Sequence, residues 1–321
     1  MIIDKIDNLG KEYDFLKTNP KLKNLCYLVY FGSISYGTNN ENSDIDIRGF
    51  LKENLSDIVL NKPFEVYEDK NTDTVIYGLR KFINLCKNCN PSVLELLGVK
   101  DEHIIYRNEF GRLIRENRDK FLSKRCFKTY VGYATAQLRR LQNALAHDKY
   151  NQEEEENHIL KSIQSMMLVI EDQYKLNKGD IKFFIKDSQV YVSVNIDSIS
   201  LRQFNAINGS IYTMLNNYDK LNNRNRKKDD KHLFKHAMHL IRLYLTCLDI
   251  LEKGELITYR ENELDLLRSI RNGEMKLEDI FKLVDKLDER LKKVYLNSKL
   301  PDYCDEEGIE KLLIKIYEVN N

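Results

Sequence analysis

The chain has 321 residues, 51 Lys and Arg against 50 Asp and Glu, a net charge of +1 and 42% hydrophobic residues. There is enough apolar material to build buried cores, which excludes a disordered polyampholyte. No run approaches the ~18 apolar residues of a membrane span, and a balanced charge gives no global field for nucleic acid. The length predicts about two domains.

Residues 1–20 carry Ile6, Leu9, Tyr13, Phe15 and Leu16 at helical spacing and predict one amphipathic helix. The start, Met1 to Lys5, lacks the basic-then-apolar order of a secretory signal. Asn24 to Phe31 is a short apolar run rich in β-formers that stops at Gly32-Ser33, which predicts a buried strand ending in a tight turn. From Asp44 to Leu51 the pattern alternates, with Ile45, Ile47 and Gly49 on one face and Asp44, Asp46 and Arg48 on the other, as in a half-buried strand. Phe64–Glu68 and Asp73–Tyr77 are two further strand candidates. At Leu79 the period changes to three and four, and a helix runs to Cys89 before Asn90-Pro91 breaks it.

Beyond about Gly111 most of the pattern is helical, over 111–121, 124–149, 154–176, 199–222, 231–253, 261–271 and 276–297. A β-hairpin is predicted between helices, from Ile181–Ile185 and Gln189–Val194. The predicted fold class is thus α+β, a small mixed sheet with flanking helices over 1–115, then a mostly helical domain over 116–321 with a hairpin near 181–194. The six cysteines stand singly in apolar stretches except Cys86 and Cys89, whose CxxC has no second half to complete a zinc site. They read as buried thiols in a reducing cytoplasm.

One segment carries chemistry: Gly32-Ser33-Ile34-Ser35-Tyr36-Gly37-Thr38, then Ser43-Asp44-Ile45-Asp46-Ile47-Arg48-Gly49. Two residues apart on a strand, Asp44 and Asp46 share a face with Cα atoms about 6.7 Å apart. Carboxylates ~5 Å apart repel by roughly 3 kcal/mol at an effective dielectric of ~20. A hard divalent cation removes that repulsion, and oxygen ligands that leave positions open select Mg²⁺ or Mn²⁺. The Gly-Ser turn offers backbone N–H groups and a hydroxyl, which suit a phosphate. A phosphate cradle beside a divalent-metal site describes phosphoryl or nucleotidyl transfer.

Gly-Ser followed about ten residues later by Asp-x-Asp resembles the signature of the DNA polymerase β-like nucleotidyltransferase superfamily. The longer string is similar to one branch of it, the RNA-ligase-associated predicted nucleotidyltransferases (RlaP). The likeness continues through 73–82, Asn90 to Leu97, Phe121 to Lys124, Gly132 to Ala134, His236 to Leu243 and Ile270 to Glu274. The resemblance implies that Gly32 and Ser33 hold the phosphates of an NTP and that Asp44 and Asp46 hold metal. It also implies a third carboxylate on a neighbouring strand, as ligand or base. Asp73 is the first choice, and Glu65 and Glu68 are its competitors. The implied reaction moves a nucleotidyl group from the NTP to an acceptor and releases pyrophosphate. The acceptor is an RNA end, by the association with RNA ligases, or a protein or small molecule. A catalytically idle nucleotide- or RNA-binding module is the reading from another class.

The same loop offers Tyr36, Gly37, Thr38 and Ser43 as further nucleotide contacts, with core packing the alternative for Tyr36. Arg48 is read as a phosphate contact or as the salt-bridge partner of Asp44 or Asp46, and Lys81 as a triphosphate contact or a plain surface lysine. Lys235, His239 and Arg242 share a helix face, with His236 beside them. They read as a polar face turned to a cleft between the domains, or as ordinary helix residues. Arg224, Arg226, Lys227, Lys228 and Lys231 form a basic run, a solvated loop or an RNA-phosphate contact.

Overall fold

The computed structural model describes residues 2–41, 43–62, 64–146, 170–186, 189–222 and 230–318. The expected helix 154–176 lies mainly outside them, as do Arg224, Arg226, Lys227 and Lys228. Two compact units emerge. One comprises Met1–Thr129, Thr246–Arg268 and Asn297–Asn321, the other Tyr130–Leu245 and Ser269–Leu296.

The first unit holds a six-stranded mixed sheet. Its strands are β1 (Ile3–Asp4), β2 (Leu25–Phe31), β3 (Asp46–Leu51), β4 (Val66–Asp69), β5 (Thr74–Gly78) and β6 (Ile104–Arg107), in the order β1-β6-β2-β3-β5-β4. Only β3 and β5 run parallel, with Ile47 opposite Thr74 and Leu51 opposite Gly78. Alternation along β3 sorts its side chains between two layers. Ile47 and Leu51 join Leu28, Ile76, Ile105 and the N-terminal Ile6, Tyr13, Leu16 and Leu22 in one core. Phe50 points the other way, its ring 5.6 Å from that of Tyr27 and 4.3 Å from that of Phe82.

Short helices connect these strands: α1 (Phe15–Thr18), α2 (Gly32–Tyr36), α3 (Leu55–Val59), α4 (Leu79–Lys87), α5 (Pro91–Leu94) and α6 (Glu109–Glu116). The buried carboxylate of Glu53 accepts from the backbone N–H groups of Phe64 (3.2 Å) and Arg80 (3.0 Å), which ties the start of α4 to the end of β3. The later helices are α7 (Arg125–Ala146), α8 (Leu201–Asn222), α9 (Asp230–Lys253), α10 (Leu264–Arg271), α11 (Leu277–Asn297) and α12 (Glu306–Glu318). In the second unit, β7 (Ile181–Lys186) and β8 (Gln189–Val194) form the expected hairpin. Among the described residues no helix is long and apolar enough to cross a membrane.

The single helix expected over residues 1–20 does not form. The sheet takes the first residues, pairing Ile3 with Arg107 and Asp4 with Tyr106, and the Asp4 carboxylate then accepts from the Ile6 N–H. Gly10 is extended, so only 3₁₀ turns and the one-turn α1 follow. The apolar positions Ile6, Tyr13 and Leu16 are buried all the same. The strand expected from Asp44 begins at Asp46, and Ile45 is exposed rather than turned to the core. Strand β6 and helices α3 and α12 had no counterpart in the sequence reading.

All six cysteines are buried and free. Cys89 follows the C-cap of α4 with φ of +49°, its N–H bonded to the Cys86 carbonyl, so the CxxC spacing marks a helix end. Burial pushes the Cys89 thiol up to about 12, which leaves it protonated and unreactive at neutral pH.

Candidate active site

Strand β2 ends at Phe31, whose register partner is Asp46, the first residue of β3. The next residue, Gly32, turns the chain with φ of +58°, a conformation that glycine adopts without a steric cost. A Cβ at Gly32 would lie 1.9 Å from Asp46 Oδ2. The Asp46 carboxylate therefore rests directly on the Gly32 Cα, a contact that any other residue would block. Ser33 follows in the first turn of α2 and is half-buried. Asp44 is exposed in the extended stretch leading into β3, and Asp46 is half-buried. The Gly-Ser turn and the second aspartate of the DxD thus meet at one end of the sheet.

The rest of the loop is built into the fold. Tyr36 is buried, with its ring edge-on to Phe31 at 5.6 Å. Gly37 caps α2 in the left-handed region (φ +77°), and a Cβ there would stand 2.6 Å from the Tyr259 ring. The Gly37 carbonyl accepts two bonds from Arg268, from Nε at 3.2 Å and Nη2 at 2.9 Å. The N–H of Thr38, a buried residue, donates to the Ser33 carbonyl at 2.9 Å. Ser43 closes a turn, its Oγ donating to Asn40 Oδ1 (3.0 Å) and accepting from the Asn40 N–H (2.9 Å). Tyr259 and Arg268 lie 222 and 231 residues after Gly37, and no local pattern in the sequence marks them as its partners.

Asp73, the first choice for the third carboxylate, is paired with Arg48. Asp73 stands at the start of β5, beside the start of β3, where its carbonyl accepts from the Ile47 N–H at 3.2 Å. Arg48 holds it by a fork: Nη2 donates to Asp73 Oδ1 at 2.9 Å and Nη1 to the Asp73 carbonyl at 2.5 Å. The salt bridge of Arg48 is thus to Asp73, not to Asp44 or Asp46. Lys81 pairs with Glu65 at 3.1 Å, so a candidate phosphate contact and a candidate third carboxylate engage each other. Glu68 is on β4, separated from β3 by β5. Among the described residues no three or more His, Cys, Asp or Glu side chains gather into a group that could hold a metal ion. Of the predicted acidic ligands, Asp46 lies beside the Gly-Ser turn and Asp44 two residues earlier in the exposed stretch before β3. Two carboxylates fit Mg²⁺, which keeps several waters and takes further oxygens from substrate phosphates rather than from an all-protein cage.

The candidate residues His236, His239 and Arg242 are in the second unit. His236 Nδ1 is 2.8 Å from Gln137 Oε1, and Arg242 is buried. Burial, then the positive charges of Arg242, Lys235, His236 and Arg271, hold the His239 imidazole well below its usual value, so it is neutral at pH 7.

Comparison with known proteins places this geometry in context. A stretch of 122 residues is 29% identical to an uncharacterized 38.9 kDa protein from the nrdC-mobD intergenic region of Enterobacteria phage T4. The match covers 34% of this chain and 36% of the phage protein, so the chain spans about a third of that relative's length. No solved structure matches significantly. The model of the RlaP family, described as the RNA repair pathway DNA polymerase beta family, matches residues 2–171. That stretch is more than half of the chain and contains the whole sheet, the Gly-Ser turn and both aspartates of the DxD, and so the chain belongs to the RlaP family of polymerase-β-like nucleotidyltransferases.

Proposed function

We propose that the protein transfers the nucleotidyl group of an NTP to an acceptor hydroxyl and that the acceptor is an RNA end. The observation that carries this reading is the seating of the Asp46 carboxylate on Gly32, which puts an acidic ligand beside the turn that would receive the phosphates. In the reaction the acceptor oxygen forms a bond to the α-phosphorus as the bond to the β-phosphate oxygen breaks. Pyrophosphate leaves with that electron pair. Asp44 and Asp46 would hold Mg²⁺ or Mn²⁺, which supplies Lewis-acid stabilisation of the phosphate charge. The backbone N–H groups and the Ser33 hydroxyl would bind the β- and γ-phosphates. Asp73, oriented by Arg48 at the edge of the same strand pair, is the residue we assign to take the acceptor proton. An RNA acceptor is supported by the family's description as a component of RNA repair.

The test is incubation with α-labelled NTPs, Mg²⁺ or Mn²⁺, and a mixture of cellular RNA and protein. Label joined to RNA supports the reading. Label on protein or a small molecule transfers the same chemistry to another acceptor. Absence of transfer with either metal makes the chain an idle binding module.

The Gly32 contact yields a prediction of its own. Gly32→Ala forces a side chain into the left-handed region, which costs about 1–2 kcal/mol, and drives its Cβ against Asp46 Oδ2. Shifts of ~1 Å in a catalytic group cost about 10²-fold. Transfer is expected to fall by about that factor while circular dichroism shows the fold retained. Full activity would show that the seat of Asp46 has no bearing on the chemistry.

A further inference from the structure

Strand β7 of the second unit presents two unlike faces, while β8 is exposed on both from Tyr191 to Val194. Side chains alternate along each strand, and the inner face puts Ile181 and Phe183 into a small core with Ile170, Ile207 and Ile211. The outer face carries Lys182, Phe184 and Lys186 on β7, all exposed. Across the ladder Phe184 is paired with Tyr191 and Lys182 with Ser193. The rings of Phe184 and Tyr191 lie near-parallel, 14° apart with centroids at 5.6 Å, yet they stay 44% and 41% exposed. Two adjacent aromatic rings on an open sheet face form an exposed apolar patch, the kind of feature that marks an interaction site.

The charge on this face selects the occupant. Neither strand contains an acidic residue, and the two lysines bracket the ring pair at a spacing of about 6.7 Å per step along β7. Near the hairpin, Glu171 accepts from the Gly179 N–H at 2.9 Å and Asp180 from the Asn177 N–H at 2.7 Å, and in sequence Asp187 falls between the strands and Asp197 after them. An apolar protein partner would not require the lysines. A single strand of nucleic acid requires both features, since its bases stack on aromatic faces and its phosphates pair with cations.

We infer that the outer face of the β7–β8 hairpin is a platform for single-stranded RNA, with bases on Phe184 and Tyr191 and phosphates on Lys182 and Lys186. The choice of RNA rests on the transferase reading above, because the platform would then hold the acceptor strand. The binding itself does not depend on that reading, and the test contains no NTP.

The experiment is fluorescence anisotropy of a labelled oligouridine with the full-length chain. Phe184→Ala with Tyr191→Ala should weaken binding by about tenfold or more. Phe184→Tyr should keep the affinity while Phe184→Leu loses it, which separates stacking from simple apolar contact. Lys182→Gln with Lys186→Gln should reduce the salt slope by about 1.4. All four positions are exposed, and thermal melts of the variants check that the hairpin stays folded. Equal affinity of the wild type and the double alanine variant would overturn the inference, as would a wild type that does not bind the oligouridine. So would sedimentation showing that the rings hold two copies of the chain together while RNA affinity is unchanged in their absence.

Discussion

Replacing Asp46 by asparagine is expected to lower nucleotidyl transfer by about a thousandfold or more and to leave the melting temperature at or above that of the wild type. The substitution keeps the shape of the side chain, so its seat on Gly32 is not disturbed. What it removes is the negative charge that would hold a divalent cation. Metal stabilisation of phosphate charge contributes several kcal/mol, and each 1.36 kcal/mol is a factor of ten in rate. Removal of one negative charge from the DxD segment also adds no like-charge repulsion to the fold. Incorporation of label and a thermal melt read the two effects separately. Near-normal transfer would remove Asp46 from the chemistry, and a large fall in melting temperature would make its role structural.

The second large effect is on stability. Phe50→Ala should cost about 3–5 kcal/mol. Phe50 is fully buried on β3, on the same face as Asp46, and its ring stands between those of Tyr27 and Phe82. Tyr27 in turn donates from its hydroxyl to the Leu96 carbonyl at 3.1 Å. Truncation opens a cavity between the sheet and α4 that neither neighbour can fill, since both are fully buried and Tyr27 is tethered. Phe50→Leu keeps most of the volume and should cost less than about 1.5 kcal/mol. A urea titration of both variants checks the difference. Equal midpoints for alanine and wild type would mean that β3 is not anchored through this ring.

The strands that carry the candidate site were legible because their patterns are local. β2 is an apolar run, the part of β3 from Asp46 onward alternates, and the hairpin β7–β8 combines both signals with a turn between. The seating of Asp46 beside Gly32 follows from the same reading, because a strand, a glycine turn and a returning strand bring those positions together. The N-terminal helix was misread because Ile6, Tyr13 and Leu16 meet one core at nearly helical spacing, while the backbone pairing of β1 with β6 has no local signature. β6 itself is four residues long between charged segments, too short to show a period. The fork from Arg48 to Asp73 depends on the parallel register of β3 and β5, which is a tertiary fact. Arg268 and Tyr259 at Gly37, and the buried Glu53 at the start of α4, are contacts of the same kind.

The central claim is that the two aspartates of the DxD bind a cation together with a nucleotide at the Gly-Ser turn. Electron paramagnetic resonance of Mn²⁺, titrated with a non-hydrolysable ATP analogue, measures this directly. The account predicts Mn²⁺ uptake that depends on the nucleotide, is lost in Asp44→Asn and Asp46→Asn, and persists in Glu65→Gln. Uptake that is indifferent to both aspartates, or that requires Glu65, would contradict it.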